Sequence, residues 1–394
     1  MLTAPLHYDF LSPARIVFGW GKRVEAGAVA ASLGRRALVV VGSRTLESNG
    51  TLEEVLTSLR ASGLEATVAG RITREPEVQD VDRLAAELRS LSAGEGDLLL
   101  ALGGGSAIDL AKAGAALAVN RQSDSVQDYL EGVGRGLKLV SPPLPLLAMP
   151  TTSGTGSEAT KNAVISSYQP AFKKSLRDNR LIPRAVLVDP ELSVSVPANV
   201  TAWTGMDAIT QLIESYVTRK SNAMTQGLCL AGLRLAVPAI EQAVRDSRSR
   251  PAREAMAQAA LLSGMALANS GLGLAHGVAA ALGVTCRVPH GLACAVLLPA
   301  AMRINRSVRQ AEFAVLGELF TGKSFSNASA AADSAVERIE QLCAAVGIPR
   351  RLSDLGVKAE QLPELVRGSH GNSMSGNPVE LSDDALKRLL EELL

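Results

Sequence analysis

The chain has 394 residues, of which 40 are Lys or Arg and 39 are Asp or Glu, so its formal charge at neutral pH is +1. Charges of both signs are scattered along the chain, which leaves no basic field to hold a nucleic-acid backbone or an anionic membrane surface. Hydrophobic residues make up 47% of the chain and aromatic residues only 3%, as is typical of packed helices and buried parallel strands. The length allows two or three domains and excludes a disulfide-stapled miniprotein.

The cysteines and the first residues bear on the compartment in which the protein works. Cys229, Cys286, Cys294 and Cys343 show neither CxxC spacing nor the density of a secreted scaffold, so we interpret them as reduced core residues. Residues 1–21 lack the pattern of a signal peptide, and no run of about 18 uncharged apolar residues occurs. We therefore expect a soluble, cytoplasmic protein that binds neither nucleic acid nor membrane.

The first half of the chain alternates short apolar runs with amphipathic stretches. The runs have the length of strands, and the stretches repeat apolar positions at helical spacing. Strands are predicted at 37–42, 66–69, 97–102, 144–149 and 185–188, and helices at 52–62 and 78–91. Strands that are buried on both faces and separated by helices predict an α/β domain around a parallel sheet.

The second half has a different texture. Period-2 alternation is almost absent after about residue 200, whereas Ala- and Leu-rich helical windows recur. These windows span 200–218, 225–247, 252–269, 330–346 and 382–394. Pro190 and Pro197 bracket a non-helical connector. The sequence thus predicts an α/β domain over 1–195 and an all-helical domain over 196–394.

Two polar loops follow predicted strands. Gly103, Gly104, Gly105 and Ser106 open a helix directly after 97–102, where glycine N–H groups could cradle the diphosphate of a dinucleotide. The alternative is a plain turn in which Ser106 is the helix N-cap. The loop 150–158 is rich in hydroxyl groups, which suit ribose, phosphate or carboxamide binding, with polar loop capping as its alternative.

A third glycine-rich segment is a false match. Residues 317–324 fit the P-loop pattern, but they continue a helical stretch, 311–320, instead of following a strand. We interpret Gly322 as a helix C-cap.

The histidines suggest a metal site. His276 and His290 each lie beside a glycine at the predicted start of a helix. Asp207 and Gln211, four residues apart, share one face of the helix predicted over 200–218. Two imidazoles, a carboxylate and an amide could surround a divalent cation. The alternative is that each histidine is a satisfied core or capping residue.

These motifs, in this order, resemble the iron-containing alcohol dehydrogenase family, whose superfamily includes glycerol dehydrogenase, maleylacetate reductase and 3-dehydroquinate synthase. The resemblance rests on 103–112, 150–158, 188–192, 204–208, 271–276 and 288–291, and it extends from 15–19 to 376–378. It implies an α/β domain, an all-helical domain and a nicotinamide dinucleotide, NAD or NADP, in the cleft between them. It also implies a divalent metal, Fe²⁺ or alternatively Zn²⁺.

The resemblance assigns roles to single residues. It places Gly103 to Ser106 at the pyrophosphate, Thr152 and Thr155 beside the nicotinamide ribose, and Lys173 near the cofactor. Its metal positions are Asp207, Gln211, His276 and His290, and we expect Asp207, His276 and His290 to be catalytic. Ser43 and Arg44 occupy the position at which the resemblance places the contact with the adenosine ribose. Because neither residue is acidic, we predict that NADP(H) is accepted and preferred.

Two positions depart from the family pattern. Gln211 replaces the usual histidine ligand, which weakens the donor set for iron or zinc. Ala280 replaces a histidine near the nicotinamide, so a proton would have to pass through water, Thr152 or His370.

The predicted reaction is reversible hydride transfer between NAD(P)H and the carbonyl carbon of an aldehyde or ketone, with the metal as Lewis acid. One alternative is a metal-independent reductase of the maleylacetate reductase type. The others are a lyase resembling dehydroquinate synthase and a nucleotide-binding module without catalysis. The expected partner is a small alcohol or carbonyl compound, and the expected assembly is a homo-oligomer, a dimer or larger.

Overall fold

The computed structural model describes residues 7–394. Its chain divides into two compact units. The α/β unit contains Leu11–Thr152 and Ser157–Ser195, and the helical unit contains residues 7–10, Ser153–Gly156 and Val196–Leu394. The predicted boundary at 195/196 coincides with the passage between the units, whereas 153–156 groups with the helical unit. Residues 1–6 of the predicted first domain lie outside the described part.

A six-stranded parallel sheet forms the centre of the α/β unit. Its strands are β1 (Arg15–Phe18), β2 (Arg36–Val41), β3 (Glu65–Arg71), β4 (Asp97–Gly103), β5 (Leu146–Pro150) and β8 (Ala185–Val188). Their order in the sheet is β1-β8-β5-β4-β2-β3. The helices of this unit are α1 (Ala26–Ala31), α2 (Arg44–Ser48), α3 (Thr51–Ala61), α4 (Val78–Ser90) and α5 (Gly105–Val119). This arrangement confirms the predicted parallel α/β fold.

The sheet is buried because apolar side chains leave both of its faces. Leu99 and Ala101 of β4 belong to the core that includes α4 and α5. Leu98 and Leu100 belong to the opposite core, with α1 and α3. Successive strand residues point to opposite faces, so a continuous apolar run fits only a strand that is covered on both sides.

An antiparallel hairpin was missed by the sequence patterns. It consists of β6 (Asn162–Tyr168) and β7 (Ala171–Arg177), which pair with each other and not with the main sheet. Its strands carry serine and lysine at positions that a buried strand fills with aliphatic residues, so their apolar signal is weak.

The helical unit confirms the prediction for the second half, since residues 200–394 contain helices and no strand. Its longer helices are α6 (Ala198–Val217), α7 (Ala223–Arg245), α8 (Arg250–Asn269), α9 (Leu274–Thr285) and α10 (His290–Arg306). They are followed by α11 (Gln310–Thr321), α12 (Ala328–Ala345), α13 (Leu362–Ser369) and α14 (Asp383–Glu392). Gly322 ends α11 with a φ of 67°, the left-handed conformation of a glycine cap, which confirms that the P-loop match is false.

Helix α7 is long and apolar enough to cross a membrane by length and composition, and the bent pair α8 and α9 passes the same test only if it is counted as one span. Leu233, Ala236 and Ile240 of α7 belong to the core of the helical unit. A core helix of this kind meets the same criterion, so the test does not assign a membrane to this chain.

Candidate active site: a metal centre and dinucleotide-binding loops

Three helices of the helical unit bring together four side chains that could hold a metal ion. Asp207 lies on α6, His276 in the first turn of α9, and His290 and Cys294 on α10. One donor atom of each side chain lies within 4.8 Å of a donor atom of every other. Because α9 and α10 both begin near a histidine, the imidazoles project from helix starts, as the sequence predicted.

The spacing of the donor atoms fits a single divalent cation. Asp207 Oδ1 is 3.2 Å from His276 Nε2 and 3.9 Å from His290 Nε2. The Sγ atom of Cys294 is 3.8 Å from His290 Nε2. One carboxylate, two imidazoles and a thiol are donors that suit zinc, cobalt or iron. Asp207, His276 and His290 are thus predicted ligands that the structure brings together.

Glu214 holds His276 in place. It lies on α6, and its Oε2 atom is 2.7 Å from His276 Nδ1. The same carboxylate accepts hydrogen bonds from the backbone N–H groups of Gly273 and Ala275, at 3.0 and 2.7 Å. A histidine that donates its Nδ1 proton to a carboxylate presents the Nε2 lone pair to a metal. Glu214 therefore orients His276 toward Asp207 and His290.

The cluster favours an ionised Asp207 and a protonated His276, although both side chains are buried. Burial opposes ionisation of Asp207, but the hydrogen bond from His276 and the charges of His290 and His276 outweigh it and lower the pKa of Asp207. Burial also opposes protonation of His276, but Cys294, Asp207 and Glu214 outweigh it and raise the pKa of His276 well above its ordinary value. A buried, ionised carboxylate needs positive charge nearby, and a cation bound among these side chains would supply it.

Gln211 is buried on α6 one turn after Asp207, as predicted, but both ends of its amide make hydrogen bonds. Its Nε2 donates to the carbonyl of Thr155 at 3.2 Å, and its Oε1 accepts from the hydroxyl of Ser263 at 2.8 Å. Metal ligation by Gln211 stays a prediction.

The glycine loop has the form predicted for an anion cradle. Strand β4 ends at Gly103, Gly104 is the N-cap of α5, and no side chain caps the helix. The alternative in which Ser106 is the N-cap is wrong, because Gly105 and Ser106 are the first residues of α5. The N-terminal N–H groups of α5 are therefore not capped by a side chain, which suits binding of a diphosphate.

Close backbone packing requires glycine in this loop. A Cβ atom at Gly103 would lie 2.8 Å from the Cα of Gly42, and one at Gly104 would lie 3.1 Å from Oγ1 of Thr152. Glycine at 103 therefore serves the approach of β2 to β4. Glycine at 104 leaves space beside Thr152.

The other predicted cofactor residues lie in different surroundings. Thr152 belongs to the α/β unit and Thr155 to the helical unit. Lys173 lies on β7, where its Nζ forms a 2.7 Å ion pair with Glu75. Their contact with a cofactor stays a prediction.

A cavity of about 270 Å³ lies at the ends of β2 and β3 and is lined in part by Ser43 and Arg44. Ser43 also caps α2 by accepting a hydrogen bond from the backbone of Thr45. Arg71 and Arg74 line the same cavity, although Arg71 is paired with Glu47 and Arg74 with Asp80. The structure thus adds two guanidinium groups to the predicted pair.

Sequence reasoning missed Cys294 of the metal cluster and also Glu214, which contacts His276. Glu214 follows Asp207 by seven residues and Cys294 follows His290 by four, both spacings of a shared helix face. The four cysteines are free as predicted, but Cys286 is only half-buried, and Cys294 contacts histidines. His370, a candidate for proton transfer, pairs with Asp383 at 2.8 Å and is exposed.

Comparison with known proteins identifies the family. A model described as "Iron-containing alcohol dehydrogenase" matches residues 13–190, and "Fe-containing alcohol dehydrogenase family, C-terminal" matches residues 201–394. Long-chain-alcohol dehydrogenase 1 of Geobacillus thermodenitrificans (strain NG80-2) is 33% identical over 390 residues, 97% of each chain. NAD-dependent methanol dehydrogenase of Bacillus methanolicus is 32% identical over 363 residues, 92% of this chain and 93% of that one.

A crystal structure of a 1,3-propanediol oxidoreductase has a TM-score of 0.91 and 31% sequence identity, covering 98% of this chain and 100% of its own. The chain therefore belongs to the iron-containing alcohol dehydrogenase family, which confirms the resemblance. It is an oxidoreductase that acts on CH–OH groups.

Proposed function

We propose that this alcohol dehydrogenase interconverts alcohols with aldehydes or ketones, using NADP(H) in preference to NAD(H) and a divalent cation held by Asp207, His276 and His290. The convergence of these three side chains carries the proposal. Asp207 Oδ1 lies 3.2 Å from His276 Nε2 and 3.9 Å from His290 Nε2. Fe²⁺ and Zn²⁺ are the proposed ions, since both accept nitrogen and oxygen donors.

The chain's own residues prepare the site for hydride transfer. A cation held by Asp207, His276 and His290 would supply Lewis-acid polarisation of the substrate oxygen, and a nicotinamide cofactor would supply or accept the hydride. Asp207 contributes a negative charge at a position that is almost fully buried. Glu214 fixes the ring of His276, and the uncapped start of α5 offers N–H groups to the cofactor's diphosphate.

Metal removal separates this proposal from the metal-independent alternative. Exhaustive chelation should abolish NAD(P)H oxidation with aldehydes, and added Fe²⁺ or Zn²⁺ should restore it. Elemental analysis of the same samples reports the metal content. Full turnover in metal-free protein would reject the Lewis-acid role and favour the alternative.

The cofactor preference rests on Ser43 and Arg44. A carboxylate at this position would bind the ribose 2′-hydroxyl and repel a 2′-phosphate, whereas Arg44 favours the phosphate. Arg71 and Arg74 line the same cavity but are paired there with Glu47 and Asp80. Steady-state kinetics should show a higher kcat/KM with NADPH, and Ser43→Asp should shift the preference toward NADH. At least tenfold better use of NADH by the unmodified protein would overturn the preference.

The substrate is proposed as a small alcohol or carbonyl compound. The relatives are named for long-chain alcohols and for methanol, so a panel of aldehydes and ketones of increasing chain length is the suitable screen. We also propose a cytoplasmic homo-oligomer that binds neither nucleic acid nor membrane. The balanced charge supports the absence of nucleic-acid and membrane binding, and the free thiols support the cytoplasmic location. Light scattering of the purified protein tests the assembly.

A further inference from the structure

Cys294 lies in the metal cluster with Asp207, His276 and His290, although it is not among the ligands predicted from the sequence. It lies one turn after His290 on α10, and its Sγ is 3.8 Å from His290 Nε2. Its Sγ also lies within 4.8 Å of a donor atom of Asp207 and of a donor atom of His276. The thiol therefore faces the same point as the carboxylate and both imidazoles.

Gln211, the residue at the family's fourth ligand position, is engaged elsewhere. Its Oε1 accepts the hydrogen bond from Ser263 and its Nε2 donates to Thr155. An amide oxygen is neutral and is a weaker donor than a thiolate for zinc or cobalt. Ligation by Gln211 would have to use the second lone pair of Oε1, in an orientation that these two hydrogen bonds already fix.

We propose that Cys294, as a thiolate, is the fourth protein ligand of the metal in place of Gln211, and that the centre therefore prefers Zn²⁺ or Co²⁺ to Fe²⁺. The inference rests on the proposed function, which places a cation among Asp207, His276 and His290. On binding, the S–H bond breaks, a sulfur–metal bond forms and the proton leaves to solvent, with no change of oxidation state.

The distances agree with this ligand set. Bonds of about 2.3 Å to sulfur and about 2.0 Å to nitrogen or oxygen separate tetrahedral ligands by roughly 3.3 to 3.6 Å. The corresponding separations are 3.2, 3.8 and 3.9 Å, so small side-chain movements would complete the coordination. Zinc can expand to five ligands during a reaction, so four protein ligands still leave a position for the substrate oxygen.

Cobalt substitution tests the thiolate directly, without an activity measurement. Metal-free protein loaded with one equivalent of Co²⁺ should show the near-ultraviolet thiolate-to-cobalt charge-transfer band beside the visible d–d bands. Cys294→Ser and Cys294→Ala should lose the charge-transfer band, and Cys286→Ser, a matched change at a half-buried thiol, should keep it. Circular dichroism establishes that each variant is folded.

The outcomes separate this inference from the proposed function. Stoichiometric cobalt with d–d bands but without a charge-transfer band would overturn the thiolate ligand and leave the metal centre intact. A charge-transfer band that survives in Cys294→Ala would also overturn it. Protein that takes up no cobalt would overturn both the metal centre and its thiolate ligand.

A second measurement compares the two candidate ligands. Competition with a chromophoric chelator should show at least about tenfold weaker Zn²⁺ binding in Cys294→Ala and a much smaller change in Gln211→Ala. The zinc-to-iron preference should fall in Cys294→Ser, because a hydroxyl oxygen replaces the sulfur. Weaker binding in Gln211→Ala than in Cys294→Ala would assign the fourth position to Gln211.

Discussion

At the scale of single residues, Glu214 fixes the orientation of the His276 imidazole. Its carboxylate accepts hydrogen bonds from two backbone N–H groups at the start of α9 and contacts His276 Nδ1. The same side chain thus anchors the helix start and fixes the imidazole that the helix carries. Such a partner shapes metal affinity although it does not touch the ion.

Replacing Glu214 tests this role. Glu214→Gln should keep the fold but lower metal affinity by about 10- to 100-fold, because an amide holds the Nδ1 proton less strongly than a carboxylate does. Equilibrium competition with a chelator measures the change. Glu364→Gln, at an exposed glutamate of α13, is the matched control, and equal affinities in both variants would contradict the role.

At the scale of elements, helix α5 follows the glycine loop at its N-terminus and carries buried charged side chains in its interior. These side chains are Asp109 and Lys112. The Nζ atom of Lys112 donates to the carbonyls of Thr160 and Asn162 at 2.7 and 3.1 Å. The lysine therefore ties α5 to the segment leading into β6.

The glycine loop can be tested by steric substitution. Gly104→Val should weaken NAD(P)H binding by at least about tenfold, or 1.4 kcal/mol, since the added atoms would meet Thr152 and cover the N-terminus of α5. Fluorescence titration measures the dissociation constant. Gly94→Val is the control, because a Cβ there meets nothing within 4 Å. Unchanged titration in folded Gly104→Val protein would remove the loop from the site.

Buried charge around α5 should make stability depend on pH. Burial raises the pKa of Glu158 from 4.5 to about 7 and that of Asp109 to about 6, and it lowers the pKa of Lys112 to about 8. A carboxyl with a raised pKa stabilises the fold fully below its unfolded value. That contribution is lost as the pH rises through the folded value.

Glu158→Gln isolates this effect. Relative to the unmodified protein, its free energy of unfolding should increase between pH 4.5 and pH 7, by about 2 kcal/mol, because the amide has no proton to lose. Denaturant unfolding at several pH values measures the difference. For Glu95→Gln, at an exposed glutamate, the difference in free energy of unfolding from the unmodified protein should not change with pH. If the difference for Glu158→Gln were equally independent of pH, the assignment would be contradicted.

At the scale of the whole molecule, the two units hold different parts of the chemistry. Asp207, His276, His290 and Cys294 all belong to the helical unit, whereas the glycine loop and the cavity at Ser43 belong to the α/β unit. Metal binding should therefore stabilise the helical unit through ligands of that unit alone.

Thermal unfolding tests this division. Zn²⁺ at a hundred times its dissociation constant should add about 2.7 kcal/mol to the free energy of unfolding of the helical unit. The gain should vanish in His276→Ala and persist in His370→Ala, whose histidine pairs with Asp383 at the surface. Equal stabilisation of both histidine variants would place the ion elsewhere.

The sequence by itself determined the fold class and most of the elements, although it did not predict the strand β1 (Arg15–Phe18). Apolar runs such as 97–102 predicted buried parallel strands, and helical spacing after residue 200 predicted the helical half, because these signals are local and periodic. The hairpin β6–β7 escaped because its strands mix polar and apolar residues. Asp207, His276 and His290 were proposed as metal ligands from their residue types and helix positions, and the family resemblance then assigned them the same role.

Only the tertiary structure decided which side chains share a point in space. Residues on α6, α9 and α10 are up to 87 positions apart, from Asp207 to Cys294, and no local pattern relates them. The packing of those helices brought Cys294 into the cluster and placed Glu214 behind His276, while Gln211 turned to Thr155 and Ser263. Helix packing fixes these contacts. The periodicity of a sequence predicts which face of a helix is apolar, but which other helix that face contacts depends on the packing of the complete core.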